Sequence, residues 1–396
     1  MMATTRTSLH ATVCVAILVT MGFALGCSEF VPIGIQPQLA DAFGVSIART
    51  GELISLYSVA YAVATPILAI ATGRFRRYTL LAVYSAVFCA ANLLMVFAPN
   101  FTVLLVSRVL LGMVSGALLA LGITYIPELM GVRRISIGVS LVYAAFSVAM
   151  VVATSLGKLA AELLTWHVAM AGSAVFAVAV CALALAILPR TGATDEPATF
   201  RDQASLLTEP QVITGILVFL FGVGSVYVFY GYVTPYLQDV LGLGAVAASG
   251  ILMVYGCLTF LSNLLSGILD RQFGIKATVG VFLLLAAVLG GLFLAGGASY
   301  GLGFVLIVAV LMYLSSVPCV SLYMRSARLR HPKALTLASS LEPMAFNLGI
   351  AFGTAVGGAV VSGPGLRFVG LAGAVLAVIA CGVAALTAHL AHRRLD

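Results

Sequence analysis

The sequence predicts an all-α membrane protein of twelve transmembrane helices, arranged as two pseudo-symmetric six-helix halves. Three observations predict it: a composition suited to lipid, the length of the apolar runs, and an internal repeat at half the chain. Of 396 residues, 62% are hydrophobic and only 8% charged, and the mean hydropathy is +1.15. Soluble domains carry about 25% charged residues, so this chain has too few to cover a surface facing water. A cytosolic enzyme, a secreted disulfide scaffold and a disordered chain are excluded together.

A helix needs about 20 apolar residues to cross the hydrocarbon layer. Runs of that length, bounded by charge, Gly or Pro, fall at roughly 11–35, 51–72, 78–98, 101–126, 136–161, 167–189, 212–237, 245–269, 276–297, 300–324, 335–361 and 366–388. Span 1 starts behind Arg6 and stops before Pro37, Gly73 through Arg77 part spans 2 and 3, and Pro99 with Asn100 part spans 3 and 4. Arg133 and Arg134 open span 5, Trp166 and His167 open span 6, and Pro189 with Arg190 close it. In the second half, Asp270 through Lys276 part spans 8 and 9, Gly296 and Gly297 end span 9, Arg325 through Lys333 part spans 10 and 11, and Gly363 through Gly365 precede span 12.

An even count puts both termini on one side. With that side cytoplasmic, sixteen of the 20 Lys and Arg lie on it; Arg49, Lys158 and Arg367 lie outside, and Arg108 lies within a span. Basic residues favour the cytoplasmic side, so both ends are predicted there. The net charge of +7 and pI near 9.1 are therefore topology rather than a nucleic-acid-binding face. The seven cysteines fall in apolar stretches without metal-ligand spacing and read as small hydrophobes. Ala24-Leu25-Gly26-Cys27 looks superficially like a lipoprotein cleavage site, yet Ala stands where Leu is usual and the apolar run continues to Ile35, so span 1 is retained. The Asn100-Phe101-Thr102 sequon sits in a loop that hugs the membrane and is read as chance.

The repeat is the pattern P-x-L-x-D-x-x-G. Pro37 through Gly44 follows span 1 and Pro235 through Gly242 follows span 7, an offset of 198 residues, half of 396. Gly73-Arg74 and Asp270-Arg271 repeat at nearly the same offset. The chain is thus predicted to hold a six-helix half over 1–189, a cytoplasmic linker over 190–211 and a second half over 212–396. Two parallel repeats joined this way suit rocking about a central site, which is alternating access.

These residues carry a family resemblance across nearly the whole chain. Ser28-Glu29-Phe30-Val31 through Pro37, Thr72 through Arg77, Arg108-Val109-Leu110-Leu111-Gly112 with Gly116, and Ala345-Phe346-Asn347-Leu348-Gly349 through Gly358 resemble the major facilitator superfamily, most closely the arabinose-efflux-permease group of its drug:proton antiporters. The resemblance implies the major facilitator fold, with spans 1, 4, 7 and 10 lining a central cavity. The chain departs from the pattern at Gly73, where an Asp is usual, at Ser115, where the group often has His, at Trp166-His167, where Trp-Arg is usual, and ahead of Gly157, where the antiporters' proline is missing. Proton coupling and the direction of transport therefore stay open.

Ionisable residues inside spans are costly and mark function by default. Three stand out: Glu29, Arg108 and Glu342. Glu29 lies about 9 Å below the outer end of span 1 and Arg108 about 10 Å below that of span 4, so they share a depth. The expectation is an ion pair in which Arg108 holds Glu29 ionised until a proton or substrate displaces it; the plainer alternative is a permanent pair that satisfies two buried charges. Glu342, just before Pro343, either lines the inner vestibule or reaches the cytoplasmic interface. Glu52, Glu128 and Glu162 lie near span ends and are expected to reach water.

At the positions where the resembled superfamily closes its cytoplasmic gate stand Arg74, Arg76, Arg77, Asp270 and Arg271. Asp270 is expected to latch onto the start of span 5 in the outward-open state. Gly112 and Gly116, and Gly349, Gly353 and Gly357, recur every four residues and are expected to let helices approach closely. Pocket candidates are Gln36, Tyr57, Tyr61, Tyr143, Tyr230, Phe346 and Asn347, with Tyr227, Tyr232, Tyr255 and Tyr313 beside them.

The leading expectation is a proton-coupled exporter of small organic compounds or drugs in a bacterial inner membrane, working as a monomer with a small-molecule substrate and protons as partners, in the lipid bilayer and without nucleic acid. Two alternatives are an importer or facilitator of the same fold and a transport-dead membrane sensor or scaffold. No phosphate-binding loop, metal cluster or nucleophile constellation is present, so no cofactor, metal or enzymatic activity is expected.

Overall fold

The computed structural model describes residues 2–72, 75–130, 135–190, 205–331 and 334–395. Gly73, Arg74, Arg133, Arg134 and most of the predicted linker lie outside them. In the first half the membrane helices are Met2–Gly34, Glu52–Thr72, Arg77–Val96, Phe101–Met130, Ile135–Leu163 and Trp166–Ile187, here spans 1 to 6. In the second half they are Pro210–Tyr230, Ala245–Phe273, Ala277–Ala295, the pair Gly301–Leu311 and Ser316–Arg330, Leu335–Ser362 and Val369–Leu395, spans 7 to 12.

By length and hydropathy eleven stretches qualify as crossings among the described residues, because spans 8 and 9 run together as 51 residues, Ala245–Ala295. At 1.5 Å per residue that is about 76 Å, far beyond a hydrocarbon layer of about 30 Å. The chain turns at Gly274, whose φ of +56° favours glycine. The stretch is therefore two crossings and the total is twelve, which returns both termini to one side of the membrane. That side is called the terminal face below, and the other the far face.

The sequence repeat has a conformational basis. Gly44 and Gly242 close the two copies at φ +62° and +66°, and a side chain in that left-handed region would strain the turn. The glycine stripes are contact surfaces. A Cβ at Gly112 would strike the Tyr57 carbonyl of span 2, one at Gly353 the Gly224 backbone of span 7, and one at Gly349 the Phe219 carbonyl. In lipid no hydrophobic force drives helices together, so close backbone approach carries the packing. Between the halves, span 2 packs on span 11 and span 5 on span 8. Large apolar side chains such as Val63, Ile67, Leu264, Leu283 and Val375 cover the outside, while Ser, Thr and charged groups are among the buried residues.

Span 10 is broken in mid-membrane. Pro318 has no N–H for the carbonyl four residues back, Leu314. The Ser266 hydroxyl of span 8 donates to that Leu314 oxygen at 3.0 Å and accepts from the Val317 N–H at 3.0 Å, while Ser262 accepts from the Tyr313 N–H at 3.0 Å. Non-helical backbone is tolerated at that depth because a neighbouring helix satisfies it.

Candidate functional site

In the first half, the centre is Arg108, fully buried in span 4. Pro32 leaves the Ser28 carbonyl of span 1 without its helical donor. Arg108 takes up that vacancy: Nη1 donates to Ser28 O at 2.6 Å, Nη2 to Glu29 O at 3.0 Å, and Nε to Leu53 O of span 2 at 2.9 Å. Its guanidinium lies over the Tyr57 ring, 4.4 Å from the centroid. Spans 1, 2 and 4 are thereby joined at one cation, which suits the five-donor fork of arginine.

Sequence reasoning brings Glu29 and Arg108 together, and they are together, but through the Glu29 main chain. No carboxylate–guanidinium salt bridge joins them among the described residues. The Glu29 carboxyl is buried within electrostatic reach of Arg108 and Tyr57, and its Oε2 has no hydrogen-bond partner.

In the second half, the centre is aromatic. Tyr313 and Phe346 stack with centroids 5.3 Å apart and planes 2° from parallel. Phe346 also meets Tyr227 and Phe219 edge-on at 6.2 Å each, and Tyr230 stacks on Tyr255 at 5.0 Å. Glu342 sits one turn before Phe346 on span 11, half-buried. Its neighbours in electrostatic range are Tyr61 and Tyr143 from the first half and Tyr313 and Tyr323 from span 10, with the Ser316 hydroxyl beside it. Tyr61 and Tyr313 are in range of both Glu29 and Glu342, so the two carboxyls flank one region. Asn347 donates from Nδ2 to Pro343 O at 3.0 Å, and its Oδ1 is unpartnered.

Two candidates lie elsewhere. Tyr232 stands beyond the end of span 7 at the far face, its hydroxyl 3.3 Å from Ala48 O of the first half and 3.1 Å from Thr354 O of the second. Gln36 is buried just past span 1, near the Thr234 to Ile33 hydrogen bond of 2.7 Å that also crosses between halves there. Deeper cross-half contacts reach mid-membrane, where Asn263 donates to Ser147 at 3.2 Å and Gly256 meets Val151.

On the terminal face, Arg77 pairs with Glu128 at 2.7 Å, and Ser321 donates to Asp270 at 2.6 Å, each within its own half. Arg271 is exposed there, and Glu52, Glu128 and Glu162 are exposed, as expected. Glu209, just before span 7, accepts from Gln211 at 3.0 Å and pairs with Arg330 at 3.3 Å and His331 at 3.1 Å. Burial works to raise the Glu209 pKa, and the contacts with His331, Gln211 and Arg330 outweigh it, holding the carboxyl below its usual value.

Sequence reasoning missed Lys158. Placed at the outer end of span 5 by counting, it is fully buried, 3.5 Å from Glu162 on the same helix. Phe219 and Tyr323 were missed too; an aromatic in an apolar run carries no mark of which way it faces.

Residues 17–331 match the family model of the Major Facilitator Superfamily. The inner membrane transport protein YdhP of Escherichia coli (strain K12) is 31% identical over 362 residues, 90% of this chain and 91% of that one. A Mannheimia succiniciproducens protein named "Probable sugar efflux transporter" is 24% identical over 368 residues, 92% of this chain and 91% of that one. Among solved structures, an inward-facing bacterial homolog of the human lysosomal transporter Spinster superposes with a TM-score of 0.77 at 15% identity, covering 96% of this chain and 97% of that one.

Proposed function

We propose, from the premise that the chain belongs to the Major Facilitator Superfamily, that this membrane transporter exports small organic compounds across a bacterial inner membrane in exchange for protons. The observation that carries the reading is Glu29, a carboxyl buried in the first half with an unpartnered oxygen. A carboxyl in that setting exists either protonated or beside a counter-charge, and each state suits a different step of a cycle. The terminal face is the cytoplasmic one, in keeping with the bias of Lys and Arg toward it.

In this scheme the far-face contacts close the site to the outside while substrate enters from the cytoplasm. Substrate displaces the proton on Glu29, and rocking of the halves then exposes both to the outside, where a proton returns. Arg108 tolerates both states, because its charge rests on three carbonyls and needs no carboxylate partner. Tyr57, Tyr61, Tyr143, Tyr230, Phe346 and Asn347 form the pocket, and Arg74, Arg77, Asp270 and Arg271 the cytoplasmic gate. In the outward-open state Asp270 exchanges Ser321 for the start of span 5. The export direction draws on the relative named for sugar efflux.

Everted vesicles with an acid interior and a pH-sensitive dye, challenged with a panel of sugars and drugs, test the reading. One or more compounds release the gradient in the wild type. Glu29→Gln abolishes that response at least tenfold while retaining counterflow of the same compound. Full gradient release by Glu29→Gln overturns the coupling role.

A further inference from the structure

In the first half, spans 2 and 4 leave a groove open to the outside of the molecule. Small residues draw the two helices together: a Cβ at Gly112 of span 4 would strike the Tyr57 carbonyl of span 2 and come within 3.1 Å of the Ala60 Cβ. Ala60 and Ala64, one turn apart, line the trough between them, with Val63 and Ile67 along span 2 and Val109 and Met113 along span 4. Its volume is about 430 Å³, and every residue that lines it is apolar. Val63 is 51% exposed and Ile67 57%, so this side of span 2 faces lipid and not protein.

The groove has a depth and a head. It starts at Leu56, one turn below Glu52 at the far-face end of span 2, and runs to Leu68, about 18 Å at 1.5 Å per residue. One leaflet supplies half of a hydrocarbon layer of about 30 Å, so the groove is about as long as one acyl chain of the far-face leaflet. At its head stands Arg49, exposed, three residues before span 2, with its guanidinium 5.4 Å from the ring centroid of Phe101, the first residue of span 4. Among the described residues no carboxylate pairs with it. Phe43 lies 6.1 Å from Phe101 and 5.3 Å from Trp166, and such aromatic clusters sit at headgroup level in a bilayer.

We infer that this groove holds a phospholipid of the far-face leaflet, with one acyl chain between spans 2 and 4 and its phosphate on Arg49. Apolar walls lose dispersion contacts wherever nothing fills the space beside them, and within the hydrocarbon layer the filling group is an acyl chain. A guanidinium held over a ring keeps N–H groups at its edge for the bidentate, charge-assisted hydrogen bonds that phosphate accepts. Glu52 exposes its carboxylate nearby, so the headgroup that fits carries an ammonium next to its phosphate. This lipid is held and not carried, so its site stands apart from the transport reading. Span 2 also packs on span 11 of the other half, and a chain in the groove braces the helix at that seam.

The test is native mass spectrometry of the purified, delipidated full chain titrated with dioleoylphosphatidylethanolamine, with dioleoylglycerol as the phosphate-free comparison. The expected result is a saturable first adduct of the phospholipid and roughly fivefold weaker binding of dioleoylglycerol. Val109→Trp and Val63→Trp fill the groove from its two sides and should each weaken the phospholipid by about tenfold. Val375→Trp, on the lipid-facing side of span 12, binds like wild type. Arg49→Gln brings phosphatidylethanolamine down to the level of dioleoylglycerol and leaves dioleoylglycerol unchanged. In thermal unfolding the phospholipid raises the midpoint of wild type and Val375→Trp, and not that of the groove-filling variants. Arg49 is exposed, so its variant decides the matter even where a tryptophan unsettles the helices. A ladder of adducts with no preferred first one, the same in every variant, means ordinary surrounding lipid and overturns the site. So does equal binding of the two lipids by wild type, or phospholipid binding by Arg49→Gln within twofold of wild type.

Discussion

The two halves meet the same physical problem at their centres and solve it with different chemistry. In each, a proline strips a helical donor from the carbonyl four residues back, and a side chain from a neighbouring helix supplies the replacement. In the first half Pro32 frees Ser28 O and Arg108 takes it; in the second, Pro318 frees Leu314 O and Ser266 takes it. A guanidinium brings a permanent charge and ties three helices, and the helix that carries Pro32 stays continuous over Met2–Gly34. A hydroxyl brings no charge and bonds two backbone groups of a single helix, Leu314 O and Val317 N–H, and that helix is left in two pieces, Gly301–Leu311 and Ser316–Arg330. The first half is therefore the electrostatic anchor, and the second leaves its centre to rings and one carboxylate.

Removing the anchor is the strongest way to break this comparison. Arg108→Met leaves three carbonyls without their donor and should lower stability by about 3–5 kcal/mol, the range for losing one member of a buried charged network. Arg108→Lys should recover only part of it, because an ammonium does not fork across three acceptors. Thermal unfolding of the purified protein followed by fluorescence measures both; a Met variant that melts with the wild type refutes the anchor. The hydroxyl side should be weaker. Ser266→Ala strands one carbonyl and one N–H and should cost about 1–3 kcal/mol, and in the same assay a loss equal to that of Arg108→Met would erase the contrast between halves. The smallest effect lies on the terminal face. The Glu209 carboxyl sits below its ordinary pKa, so its contribution is fully present above the unfolded value of about 4.3 and is lost as pH falls through the folded value. Glu209→Gln should melt lower than wild type by about 1 kcal/mol at pH 7. As pH falls through the folded value the two melting curves should converge.

Much of the fold was legible because lipid leaves few choices. Twelve apolar runs, a skewed distribution of Lys and Arg, and the recurrence of Pro37 through Gly44 in Pro235 through Gly242 follow from requirements on each segment alone. The depth of Glu29 and Arg108 was legible for the same reason, since helical rise is constant. Which atoms they share was not: Arg108 bonds to the Glu29 carbonyl, and seeing that requires knowing that Pro32 empties the neighbouring acceptor and that span 4 crosses at that level. Pro32 and Pro318 were visible signals whose meaning depended on a neighbouring helix. Lys158 escaped because its place by count, near a span end, says nothing of the packing that buries it. Tyr232 and Tyr230 lie two residues apart, yet one belongs to the far-face seam and the other to the ring cluster, because the helix ends between them.

Tyr232 carries one further consequence. Its hydroxyl holds a single proton and faces two acceptors, Ala48 O in one half and Thr354 O in the other. In the proposed cycle, parting of the halves would leave the proton on Thr354 O and the hydroxyl bonded, so no donor would be orphaned in an apolar place. In that cycle the clasp would let go without a penalty on the side that keeps it, which would leave the balance between closed and open forms to whatever occupies the centre.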